Sequence, residues 1–233
     1  MLKRSINHYL LASLMAVLVY SLLLYGGTAY LQEQVVQGLI RSTGASVVQA
    51  QLRPALPFGL LFGKFQRVHL ELQEIDLGPL TAETIELTGE AVDVGLRSIR
   101  QGRFTLDRVA QIQGRLDITE AALNAYFQRL TLPPGLIKAV VTPELFLLSG
   151  ELPIMGRRLE VDLQAKLTVL PGNILQIVPV RLAIQKAQVP PVLIEQFLAD
   201  YLRIPIDLTD FPVPLVLQEV VLSEGRVSVY AGQ

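Results

Sequence analysis

From Leu159 to Val169 the chain alternates without a lapse, with Leu159, Val161, Leu163, Ala165, Leu167 and Val169 in one phase and Glu160, Asp162, Gln164, Lys166 and Thr168 in the other. Successive side chains of a β-strand point to opposite faces, so this stretch rests one face on an apolar interior and the other in water. Pro171-Gly172-Asn173 then supplies turn chemistry, and Ile174 to Gln185 is predicted to return as the second arm of a hairpin. A looser alternation in Gln66 to Leu72 sets Val68, Leu70 and Leu72 against Arg67, His69 and Glu71. Further strands are predicted at Thr84 to Val94, Phe104 to Ile118 and Leu145 to Ser149, and a second hairpin at Leu215 to Leu222 and Arg226 to Tyr230 around Ser223-Glu224-Gly225. The chain is 51% hydrophobic but only 6% aromatic, so aliphatic side chains supply most of its interior, as strands prefer.

Helical spacing interrupts the strands. Leu31, Val35, Val36, Leu39 and Ile40 share a stripe that Gly44 should stop. A helix capped by Thr119 aligns Leu123, Tyr126, Phe127 and Leu130 before Pro133-Pro134 ends it. Another, opened by Pro190-Pro191, aligns Leu193, Ile194, Phe197, Leu198, Tyr201 and Leu202 before Pro205. The predicted class is α+β, a long, strongly curved antiparallel sheet wrapped around amphipathic helices.

Tyr9 to Tyr25 carries no charge, and with Gly26 to Leu31 it reaches about the 20 residues that cross a bilayer's hydrocarbon. Lys3 and Arg4 before it predict a single-pass anchor with the amino terminus inside and the rest of the chain outside the cytoplasmic membrane. The competing reading is a cleavable signal with its cut after Ala29, since Gly27-Thr28-Ala29 has the small-x-small form. Both readings divide the chain into a membrane segment, 1–30, and an extracytoplasmic domain, 31–233.

The formal net charge is −1, and without Lys3 and Arg4, the only charges of the first thirty residues, the remainder carries −3. That argues against nucleic acid as a partner. There is no cysteine and there are two histidines, His8 beside the basic start and His69 on the polar phase of a strand, so a thiolate metal site, a thiol nucleophile and a Ser-His-Asp triad have no residues to build from. No phosphate-cradling glycine loop is present. The acids, Asp107, Asp117, Glu120, Glu144, Glu151, Glu160, Asp162, Asp200, Asp207 and Asp210 among them, fall mostly on polar strand phases or helix ends. No cofactor, metal or catalysis is expected.

What stands out is apolar excess where turns should be. Leu56 to Phe62, Leu132 to Ile137, Leu152 to Met155 and Phe211 to Leu215 are rich in Pro and Gly yet greasy, and exposed apolar loops usually mark contact with lipid, ligand or protein. Ile174 to Ile184 is apolar in both phases, as a strand covered on both faces would be. An aliphatic gap between sheet and helices would form a tunnel, and a sealed core satisfies the pattern equally. The expected lining is Leu123, Tyr126, Phe127, Leu193, Phe197 and Tyr201 from the helices with Leu163, Leu167, Val178 and Leu182 from the sheet.

The order of Gly63-Lys64-Phe65-Gln66-Arg67-Val68-His69-Leu70, Ile118 to Tyr126, Leu132-Pro133-Pro134-Gly135-Leu136, Gly150 to Arg157, Phe211 to Leu215 and Glu224-Gly225-Arg226 resembles the LmeA-like phospholipid-binding family of bacterial envelope proteins. One departure is Val213-Pro214 where that pattern would have Phe-Gly. The resemblance implies a fold similar to the tubular lipid-binding proteins, including the bactericidal/permeability-increasing type, with phospholipid or another acyl-chain lipid as partner and a role in envelope lipid maintenance. It offers no catalytic residues. The rival functions are a structural protein docking on an envelope complex through its greasy loops, its protein partner unknown, and an envelope hydrolase using a carboxylate pair.

Overall fold

The computed structural model describes residues 15, 26–41, 44–54, 59, 62–77, 80–95, 97–98, 106–130, 137–154, 157–184, 187–188, 203–206 and 215–233. Residues 26–41 are helical (α1) and bury Val35 and Leu39 completely. The helix stops as its spacing predicts: Gly44, at φ 68°, donates its N–H to the Ile40 carbonyl at 3.0 Å, a left-handed cap that glycine adopts without penalty.

Strands β1 (Val47–Pro54), β2 (Lys64–Asp76), β3 (Thr81–Val94), β4 (Leu106–Arg108) and β5 (Gln111–Thr119) follow, then helix α2 (Glu120–Leu130). After it come β6 (Ile137–Val141), β7 (Phe146–Ile154), β8 (Arg157–Leu170), β9 (Ile174–Ile184), β10 (Ala187–Gln188), β11 (Arg203–Pro205), β12 (Val216–Ser223) and β13 (Arg226–Gly232). Every pairing among the described residues is antiparallel, and the chain is a sheet-dominated α+β protein.

Both predicted hairpins form, β8 with β9 and β12 with β13. The first turns through Gly172 at φ 84° and Asn173 at φ 59°. The expected single long, strongly curved sheet does not form. Sheet A runs β1-β2-β3-β5-β13-β12 with β4 also beside β3; sheet B runs β10-β9-β8-β7-β6 with β11 also beside β9. The division arises because β13 returns to pair with β5, from Arg226 opposite Thr119 to Gly232 opposite Gln113. That closes sheet A without the residues between, which pair among themselves. The expected strand Phe104 to Ile118 likewise breaks: β4 and β5 both lie against β3, with a bend at Ala110 whose N–H reaches the Glu90 carbonyl at 3.2 Å.

Among the described residues no helix is long and apolar enough to cross a membrane. The predicted membrane segment Tyr9 to Tyr25 lies outside them apart from Met15, as does the helix predicted after Pro190-Pro191.

Sheet A changes phase twice. Inward residues of β2 pass from Phe65 to Val68 and from Leu72 to Ile75, and those of β3 from Ala82 to Ile85 and from Gly89 to Val92. Register is kept throughout, Ile75 opposite Ala82 and Phe65 opposite Val92. Each switch coincides with a left-handed residue, Glu74 at φ 55° or Ala91 at φ 49°, a conformation that costs a side-chain-bearing residue about 1–2 kcal/mol.

The two sheets are latched at both ends of β12. At its start, the Asn173 side chain donates to the Leu215 carbonyl and accepts from the Leu217 N–H, both at 3.1 Å. Past its end, the Gly225 N–H donates to the Val141 carbonyl at 3.0 Å, and the Gly225 carbonyl accepts from the Glu120 N–H at 2.9 Å. The outer edge of β6 is then completed by α2. Asn124 accepts from the Ala139 N–H at 2.7 Å and donates to its carbonyl at 2.9 Å, while a Glu120 carboxylate oxygen accepts from the Val141 N–H at 3.0 Å. Asn124 thus presents a carbonyl and an amide N–H equivalent to those of a neighbouring strand.

Replacing Asn124 by Ala strands a donor and an acceptor of Ala139, each worth about 1–3 kcal/mol when left unmet. The expected loss is about 2–4 kcal/mol in urea denaturation, with faster hydrogen exchange at the Ala139 amide. Asn173→Gly keeps the left-handed turn accessible but removes the latch, and should cost about 1–3 kcal/mol by the same assay.

Candidate functional site

Two surfaces could act, the apolar interior between α2 and sheet B and the polar outer face of sheet A. The interior begins at the predicted cap, where the Thr119 hydroxyl accepts from the Ala122 N–H at 3.2 Å. That start angle directs Leu123, Tyr126 and Phe127 inward; the first and last are fully buried. Phe127 meets Tyr126 edge-on, ring centres 5.2 Å apart, and Phe146 of β7 at 6.1 Å. Burial raises the Tyr126 phenol above its ordinary pKa, because the phenolate would lose its hydration.

From sheet B, Ala139, Leu148, Leu163 and Leu182 stand opposite one another across four strands. Leu163, Leu167 and Leu182 join Leu123, Tyr126 and Phe127 in one apolar cluster, none more than 7% exposed. The structure therefore buries six of the ten residues expected to line a tunnel within the common core. Leu193, Phe197 and Tyr201 lie outside the described residues.

Val178 is placed differently, 37% exposed and on the opposite face from Leu182. Gln164 pairs with Arg181 but Ala165 with Pro179, so Val180 is an extra residue in β9. The bulge moves the inward phase from Leu175 and Ile177 to Leu182. Apolar residues in both phases of this strand thus record a phase change, and Val180 is 57% exposed.

Of the greasy loops, Phe62 is 71% exposed, Ile137 and Leu215 are buried, and most of the remainder lies outside the described residues. On the inner face of sheet A an all-apolar cleft is bounded by Val68, Leu70, Leu87, Val92, Leu106 and Ile112, with Gly89. Its volume is about 10 Å³, room for about one water.

The outer face of sheet A holds the charged groups. Asp117, buried, accepts from Ser228 at 2.6 Å, Arg115 at 3.0 Å and Arg226 at 3.4 Å, and Arg226 also binds Glu83 at 2.8 Å. Burial opposes the charge of Arg115, but its hydrogen bond to Asp117 and that carboxylate's charge outweigh burial and raise its pKa. The acids that meet here converge on arginines. Among the described residues no group of three or more acids and histidines could hold a metal ion.

Further along this face a concave basin of about 250 Å³ is lined by Gln51, Arg53, Arg67, His69 and Thr88. The strand alternation correctly puts His69 on the polar face, but the meeting of these residues depends on the β1–β2 register. That register sets Gln51 opposite His69 and Arg53 opposite Arg67. The spacing of Arg67 and His69 two apart on a strand was the only local signal.

Truncating Phe127 to Ala should cost about 3–5 kcal/mol, the usual range for a fully enclosed ring, read as a shift of the urea midpoint. Val178→Thr, on the exposed face, should change stability by no more than about 0.5 kcal/mol.

No curated protein and no solved structure matches this chain. A family model does, over residues 25–232, a span that takes in α1, both sheets and α2. With its antiparallel architecture and aliphatic interior, the chain belongs to the LmeA-like phospholipid-binding family.

Proposed function

We propose that this protein is a phospholipid-binding module of the cell envelope, held by its amino-terminal segment at the outer face of the cytoplasmic membrane, which carries or maintains envelope lipid without catalysing a reaction. The family match over 25–232 carries the reading. It is supported by the aliphatic face of sheet B, whose Leu163, Leu167 and Leu182 belong to the same buried core as Leu123, Tyr126 and Phe127 of α2. Acyl chains would part α2 from that face and gain roughly 0.8 kcal/mol for each CH₂ withdrawn from water. The uncharged run Tyr9 to Tyr25 behind Lys3 and Arg4 supports the anchor and its orientation.

One observation favours a second reading. The six interior residues are already sealed by the protein, while Val178, Val180, Val216 and Val221 are exposed, a combination suited to a docking protein with a closed core.

Native mass spectrometry with solvent extraction of residues 31–233, purified without detergent, separates the two. Stoichiometric phospholipid, present on purification or taken up on addition, is the expected result. A folded domain that carries none and takes up none would overturn lipid binding in favour of docking.

A further inference from the structure

The basin on the outer face of sheet A is made of five side chains from three adjacent strands. Arg53 and Gln51 come from the edge strand β1, Arg67 and His69 from β2, and Thr88 from β3. Two rows cross it, Arg53 opposite Arg67 and Gln51 opposite His69 opposite Thr88. All its lining groups can donate a hydrogen bond, and none is a carboxylate.

The arginines are the anomaly. Like charges directly opposite on neighbouring strands repel and destabilise the pair. Arg67 is partly compensated by an exposed ion pair with Glu90 at 3.1 Å. Among the described residues Arg53 has no carboxylate partner. The Thr88 hydroxyl meets Nδ1 of His69 at 3.1 Å, which fixes the ring and leaves Nε2 for a ligand. The nearby Glu71 accepts from Gln73 at 3.1 Å.

From this geometry we infer that the basin is an anion site for a phosphate group, with Arg53 and Arg67 as its charged arms and Gln51, His69 and Thr88 as further hydrogen-bond donors. A guanidinium pair presents forked N–H groups that match the oxygens of a phosphate, and an anion between them turns repulsion into two charge-assisted contacts. At about 250 Å³ the basin falls below the roughly 300–1,000 Å³ of sites that enclose drug-sized ligands and leaves ample room for a phosphate. The phosphate could belong to a lipid headgroup or be free in solution. The site lies on the opposite face of sheet A from its apolar side, so it does not depend on acyl chains entering the interior.

The test follows the His69 ring signals by NMR in the full-length chain held in phosphate-free maltoside micelles. One arm titrates inorganic phosphate; the other titrates phosphatidylglycerol into the micelles, with no free phosphate. Saturable movement in the first arm alone assigns free phosphate, in the second alone a lipid headgroup, and in both a site for the shared group. In each case Arg53→Gln should weaken the response roughly tenfold or more, while Arg181→Gln, on the exposed face of sheet B, leaves it unchanged. Still signals in both arms, or equal weakening by the two substitutions, would overturn the site. Lipid uptake by the interior is measured separately, so either idea can fail without the other.

Discussion

The outer edge of β6 is the constraint on which the arrangement of the two sheets depends. An edge strand carries backbone groups that must find partners or stay in water, and here the partners come from two places in the sequence. Asn124 and Glu120 of α2 meet Ala139 and Val141, and Gly225 of the β12–β13 turn meets the Val141 carbonyl. Helix position, sheet B's boundary and the tip of sheet A's last hairpin are therefore fixed together. The turn that links β8 to β9 completes the attachment through Asn173 at the other end of β12. A strand of sheet A is thus held at both ends by polar groups while its aliphatic residues Leu217, Val220 and Leu222 join the common core.

Features whose causes lie within a few residues were legible in the sequence. The alternation of β8, the turn at Pro171-Gly172-Asn173, the cap at Thr119 and the stop at Gly44 each rest on local sterics or hydrogen bonding, and each appears where expected. Strand β1 carried a readable signal in Val48, Ala50 and Leu52, overshadowed by the helical stripe before it and by Pro54. In β6 the alternation of Ile137, Ala139 and Val141 follows Pro133-Pro134-Gly135, which reads as loop. The division into two sheets was not legible, because it turns on β5 choosing β13, a partner more than a hundred residues away.

The interior and the basin differ in the same way. An aliphatic stripe announces itself on one element, and Leu123, Tyr126 and Phe127 were identifiable from helical spacing alone. Val178 was misplaced because one extra residue in β9 reverses the phase for everything beyond it. The basin's polar residues are individually ordinary surface residues. Only register makes them neighbours, and a one-residue slip of β1 against β2 would dissolve the group.

The position of the C-terminal hairpin in sheet A has a consequence for how the protein is made. Strand β5 is synthesised long before β13, the strand that covers its open side, and the β12 that flanks it. Until those arrive, Ile112, Leu116 and Ile118 belong to an unprotected edge strand. At synthesis rates of roughly 5–20 residues per second, the interval between the end of β5 and the start of β13 lasts on the order of 5–20 s. For that time the growing chain offers a pairing template to any other strand nearby, including the same strand of a second copy, so shielding by a holding chaperone would matter most in this window.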